Sequence, residues 1–295
     1  MSFRLLSIFV NDNFDEFMKI DKDEINFTEP LNVFPSLLPP ILKDGASITA
    51  ACVFKGAEKC LSWILTNEDI SNLYDFGQRS LYHFAAASSN PNIYTVLENS
   101  CPDDNQDHPD KDGLLPIHYA AMFGNLQVLQ YLWMNGNDIN APIPQPDDDD
   151  QFGRPLARND PITLLDLAII SLQTNVVNFL LANMEIKDSH FQSIFRLESH
   201  PSNQIVFQTD PVNKAKEILE SFINAGLDIM TFKNKQGKNL FFFFLEKEDL
   251  DLVQILYQKI GNKEIRNEEG LTPYEYARRY KNKDIVDFVL KYSKQ

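Results

Sequence analysis

Three cysteines in 295 residues, Cys52, Cys60 and Cys101, are too few and too badly spaced for a disulfide framework or a zinc site. Cys52 and Cys60 fall at apolar helix positions, where a thiol acts as a small hydrophobe, and reduced thiols suit the cytosol or nucleus. Basic residues are outnumbered: 27 Lys and Arg stand against 42 Asp and Glu, a net charge of −15. Such a surface repels phosphate backbones and anionic headgroups over a Debye length of roughly 10 Å. Nucleic acid and membrane surfaces are therefore poor partners, whereas a basic protein surface would be steered in. Long hydrophobic runs are missing as well. The stretch from Leu5 to Val10 is too short for a secretory h-region, and no segment approaches the roughly 20 apolar residues of a membrane span. There is no GxGxxG, Walker loop, HExxH or GxSxG. His108, His190 and His200 lack a nearby Cys or His at ligand spacing. No catalytic residue, metal ligand or cofactor follows from these patterns.

Glycine is scarce, 11 residues, and sits mostly at turns between helical stretches. Residues 110–141 read DKDGLLPIHYAAMFGNLQVLQYLWMNGNDINA. An acidic turn with Gly113 leads into Pro116, Ile117 and His118 at a helix start. Ala120 and Ala121 are small enough for a neighbouring helix to pack against. Gly124 and Asn125 make a tight turn, and Leu126, Val128, Leu129, Leu132 and Trp133 form one apolar stripe at helical spacing. Gly136 ends that helix in the left-handed conformation. The stripe recurs: taking its middle residue, Ile64, Leu97, Leu132, Leu180, Phe222, Leu256 and Val289 follow one another after 33, 35, 48, 42, 34 and 33 residues.

The 110–141 unit is similar to an ankyrin repeat, with Leu115-Pro116-Ile117-His118 where that family has Thr-Pro-Leu-His. Four of the six steps sit at its period of roughly 33 residues. The resemblance implies an all-α solenoid of helix-turn-helix units with short hairpin tips: a capping segment at 1–43, then about seven repeats over 44–295, with insertions near 142–161 and 196–211. Several units are degenerate. Asp166 stands in the histidine slot of the fourth, Phe241 to Phe244 replace Leu, His and Ala in the sixth, and 187–213 has no clear first helix. In the cap, Phe3 to Val10 and Phe14 to Ile20 read as two helices. Leu31 to Pro40, flanked by Pro30 and carrying Pro35, Pro39 and Pro40, reads as an extended segment over the first repeat. His83 and His118 occupy or approach the histidine slot, where an imidazole bonds backbone between repeats.

The resemblance also implies function: a non-enzymatic scaffold or adaptor, monomeric, cytoplasmic or nuclear, binding a protein partner along a concave face. Contacts in this family come from turn tips and from the positions after the Ala-Ala pair. Those are Lys111, Asp112, Leu114, Met122 and Phe123 in the third repeat. Val53 and Phe54 correspond in the first, Ile170 in the fourth, and Arg279 and Tyr280 in the last. Tyr74, Asp75 and Phe76 surround the second turn. Met, Phe, Tyr and Arg on one surface are what protein-binding hot spots favour. The alternative is a metal-dependent binder or enzyme using the acidic loops 100–112 and 147–150. Registering Gly113 at the sixth position of a calcium loop puts His108 first and Tyr119 twelfth, where Asp and Glu belong, so that motif fails. Titration with calcium, magnesium and manganese separates the two readings: neither heat nor a thermal shift is expected, and either would restore the metal-dependent one.

Overall fold

The computed structural model describes residues 2–70, 73–101, 108–140, 143, 162–184, 188–199, 210–260, 265–279 and 283–292. Among them all regular structure is helical, apart from isolated bridges such as Tyr74–Ser80 and Lys233–Asn239 at hairpin tips. Helix α1 (Ser2–Val10) precedes α2 (Phe14–Met18), α3 (Ile48–Lys55) precedes α4 (Glu58–Asn67), α5 (Leu81–Ala86) precedes α6 (Asn92–Ser100), and α7 (Pro116–Phe123) precedes α8 (Leu126–Met134). Then come α9 (Leu164–Ile170), α10 (Thr174–Asn183), α11 (Asp188–Phe191) running into a 3-10 turn (Gln192–Arg196), and α12 (Pro211–Asn224). The pairs α13 (Leu240–Glu246) with α14 (Leu250–Ile260) and α15 (Pro273–Arg279) with α16 (Lys283–Tyr292) complete the chain. It divides into two compact units, Met1–Leu167 and Ala168–Gln295. In the first, α1, α3, α5 and α7 are successive neighbours in one layer and α2, α4 and α6 in the other. In the second, α10, α12, α14 and α16 follow one another side by side.

Small residues set the helix spacing. Ala85 and Ala86, and Ala120 and Ala121, are buried in one register, with Cys52 and Val53 as their counterparts in the first repeat, so neighbouring first helices pack closely. The second helices bury the apolar stripe: Ile64, Leu97, Leu180, Phe222 and Leu256 are fully enclosed, and Leu132 and Val289 nearly so. Each such side chain contributes roughly 1.5–3 kcal/mol relative to exposure.

Turns repeat with a fixed geometry. Every left-handed residue among those described falls into one of three registers. Before first helices stand Gly45, Gln78, Gly113, Gly237 and Gly270, with φ between 60° and 79°. Just after first helices stand Asp12, Gly56, Gly124, Leu172 and Glu248, with φ between 43° and 78°. Gly136 and Gly226, at 103° and 105°, follow second helices. The offsets match the apolar stripe: Gln78 precedes Gly113 by 35 residues, as Leu97 precedes Leu132, and Leu172 follows Gly124 by 48, as Leu180 follows Leu132. At the tips, an Asx oxygen three residues before the left-handed residue takes two backbone N–H groups. Asp110 Oδ1 accepts from Asp112 and Leu114 at 2.8 Å each, and Asp75, Asn234 and Asn267 do the same. Consecutive tips are joined, Phe76 N donating to Asp44 O and Lys111 N to Gly77 O.

The first two helices and the segment after them close the end of the first unit. The Asp12 carboxylate accepts from Lys59 N and Cys60 N, capping α4 where its own Ala57 has no side-chain acceptor. The stretch that pairs with the first repeat lies upstream of the one expected. Phe27, Glu29 and Leu31 bond Thr49, Ile48 and Ala46, while Pro35–Leu37 and Pro40–Leu42 are 3-10 turns, because proline at their first position presets the tight φ. Cys52 and Cys60 are fully buried, as their apolar positions implied, and burial pushes the Cys60 thiol up to about 12. The bulky Phe241, Phe242 and Phe244 are buried too, and Phe243 packs edge-on against Phe195 at 4.9 Å. Helix α12 begins at Pro211, where Asp210 caps it through Asn213 N. The expected insertion at 142–161 lies almost wholly outside the described residues, but its base does not: Ile143 N donates to Ile162 O at 2.7 Å.

Gln78 is the tip position, among the described residues, whose left-handed backbone carries a Cβ instead of a glycine. Gln78→Gly is expected to raise unfolding free energy by up to about 1 kcal/mol, the left-handed penalty less the added unfolded-state entropy. Denaturant titration checks this, and a loss of stability would contradict the assignment of Gln78 to the glycine register.

Candidate interaction surface

The histidine slot is a backbone cap. His118 Nδ1 accepts from Leu115 N at 2.7 Å, and His83 Nδ1 from Ser80 N at 3.1 Å. Asp166 Oδ2 takes Thr163 N at 2.9 Å and Glu275 Oε2 takes Thr272 N at 2.8 Å, so a carboxylate serves the same position. With Nδ1 accepting, the His83 proton sits on Nε2 and is donated to Leu114 O at 3.0 Å, tying the second repeat to the third. Asn90 Nδ2 reaches Gly56 O and Asn125 Nδ2 reaches Ser88 O, repeating the tie one register away. Beneath the tips a buried ion pair joins Arg79 to Asp75 at 2.5 Å, with Asp44 at 3.3 Å on its outer side. Tyr119 donates to Asp110 Oδ2 at 2.7 Å and lies edge-on to His83. Each of these groups is bonded to backbone or to another buried side chain.

Four of the residues expected on the contact face are buried. Val53 is fully enclosed because it stands 68 residues before Ala121, as Ile64 stands before Leu132, and so occupies the helix-packing position. Met122 is 3 % exposed, its flexible unbranched chain turned inward. Leu114 is 5 % exposed, beside the carbonyl that His83 binds. Asp75 is spent on its own turn and on Arg79. Phe54, Phe123, Tyr74, Asp112 and Ile170 are half-buried, and Lys111 and Arg279 are exposed, the latter paired with Glu269. Tyr280 lies outside the described residues, as do Asp147 to Asp150.

What the structure brings together is an aromatic pair. The Phe54 and Phe123 rings meet edge to face at 5.9 Å although they belong to the first and third repeats. The same register in the second repeat holds Ala87 and Ser88, both buried, whose small side chains leave the rings a path to each other. Lys55 lies 5.4 Å from the Phe54 ring, and burial lowers its ammonium pKa. At the tips Phe76 is 73 % exposed, with its ring over Gly45, where any Cβ would collide with it. Tyr74 packs on His108 at 5.1 Å. Lys55 was missed in the sequence; the signal was the Ala87-Ser88 gap, which exposes the register that precedes each inner turn.

The family model for ankyrin repeats matches residues 47–143 in three copies. That span takes in the pairs α3–α4, α5–α6 and α7–α8, so these 97 of 295 residues are ankyrin repeats. No curated protein matches the chain. Ankyrin repeats as a family bind protein partners, and no helix among the described residues is long and apolar enough to cross a membrane.

Burial lowers both histidines to about 4, against 6.5 when unfolded, with the nearby positive groups adding to the effect. Their contribution to stability is complete above pH 6.5 and is lost as the pH falls toward 4, because only the unfolded chain takes up the proton. Asp110, raised by burial, acts in the opposite sense near the acid end of that window. Lowering the pH from 7.5 to 5 should cost about 2 kcal/mol per histidine. Denaturant midpoints across that range test it, and His118→Gln should remove about half of the slope. An unchanged slope would place the titration elsewhere.

Proposed function

We propose that the chain is a non-enzymatic interaction scaffold or adaptor whose partner protein docks on the inner rim and tips of residues 47–143. The observation that carries this reading is the Phe54–Phe123 pair with Phe76 beyond it. Half-exposed aromatic rings on rigid helices and a 73 % exposed ring at a tip form anchors of the kind that dominate protein interfaces. Lys111 and Asp112 complete the rim. The helix pairs outside 47–143 are divergent repeats of the same type, about seven in all over 44–295. Their support is the left-handed register, which persists at Leu172, Gly226, Gly237, Glu248 and Gly270.

The partner presents a basic surface. The whole net charge belongs to one unit: Met1–Leu167 carries 10 Lys and Arg against 25 Asp and Glu, and Ala168–Gln295 carries 17 of each. Electrostatic steering toward the repeats of the first unit speeds encounter and weakens with added salt. The protein acts as a monomer in the cytoplasm or nucleus.

Affinity capture with wild-type protein and with Phe54→Glu and Phe123→Glu tests the surface. Proteins retained by the wild type should be lost by both variants while their melting curves stay unchanged. Met122→Glu, a buried substitution, should instead lower the melting temperature. Equal capture by wild type and the two rim variants would overturn the reading.

A further inference from the structure

Between α10 and α12 a cleft of about 500 Å³ opens to solvent, lined among others by Thr174, Asn178, Leu181, Glu217, Glu220 and Ala225. Across the next groove, between α12 and α14, Lys259 reaches Glu220, with Nζ 3.2 Å from Oε1. The two grooves correspond residue by residue. Lys259 stands three residues after Leu256 and Glu220 two before Phe222, each counted from the apolar marker of its helix. The same positions one repeat earlier are Ala225, three after Phe222, and Asn178, two before Leu180, and both line the cleft. The cleft is thus the groove that a lysine stem and ammonium fill one repeat later, with a methyl group where that stem would begin.

We infer that this groove receives a lysine or arginine side chain from a basic protein partner. Three features fit that occupant. Glu217 is exposed on the cleft wall, and Glu220 is already shown by Lys259 to hold an ammonium. Thr174 lines the cleft, and its hydroxyl has no hydrogen-bond partner among the described residues. Leu181 and Ala225 give the aliphatic stem apolar walls, while no basic side chain lines the cleft. This site lies in Ala168–Gln295 and stands independently of the surface proposed on residues 47–143.

The test uses the full chain and two blocked pentapeptides, acetyl-Gly-Ala-Lys-Ala-Gly-amide and its norleucine counterpart, which keeps the stem and removes the charge. The lysine peptide should shift the side-chain NH₂ resonances of Asn178 and Asn224 saturably, and the norleucine peptide should not. Glu217→Gln should weaken the lysine peptide about two- to fivefold, the range of an exposed ion pair. Ala225→Lys, which places a stem in the groove from the chain itself, should suppress the shifts. Equal shifts with both peptides, no shift with either, or binding unaffected by Glu217→Gln would overturn the inference.

Discussion

The fold depends on reversing the chain at fixed intervals, and each reversal needs one residue with a left-handed backbone. That requirement is local, but its spacing is not: the reversals must fall so that each apolar stripe meets the next. Gly56 shows how tight the constraint is, since a Cβ there would lie 2.8 Å from Asn90 of the following repeat. Where glycine is absent, at Asp12, Gln78, Leu172 and Glu248, the backbone still takes the same conformation, because the packed helices on either side dictate it. The side chains of these positions carry the local cost, and the buried stripe outweighs it.

A second layer of specification comes from polar groups that serve the backbone. Asx oxygens organise the tips, and the N3 position caps the first helices with whatever acceptor is available. That position holds His118, His83, Asp166 and Glu275 in different helix pairs, so its chemistry is acceptance of one N–H and nothing more demanding. A histidine in a loop-rich acidic chain invites a catalytic reading. Burial and a backbone partner on Nδ1 explain it without one.

Much of the architecture was legible because it rests on spacing. The apolar markers, Gly113, Gly124 and Gly136, and the Ala120–Ala121 pair each recur at a fixed offset, and the structure places them as that offset demands. At the second tip the left-handed residue is Gln78 rather than its neighbour Gly77, and comparison of offsets reveals it. The proposed contact face was less legible. Val53 and Phe54 are adjacent and equally apolar in the sequence, yet one packs between helices and the other reaches the rim, a difference of about 100° around the helix axis. The meeting of Phe54 with Phe123 is set by the two small side chains of an intervening repeat, a relation among three units that no single repeat displays. Tip geometry in the first 43 residues escaped because proline forbids regular helix without stating which irregular path replaces it.

The hydrogen bond from Ile143 N to Ile162 O holds together two residues that stand 19 apart in the sequence. For a stretch whose ends are held in this way, the entropy of closure grows only with the logarithm of its length. Evolution can therefore lengthen, shorten or replace that stretch at small thermodynamic cost, and a whole new domain could be spliced there while the helical framework on either side keeps its registration.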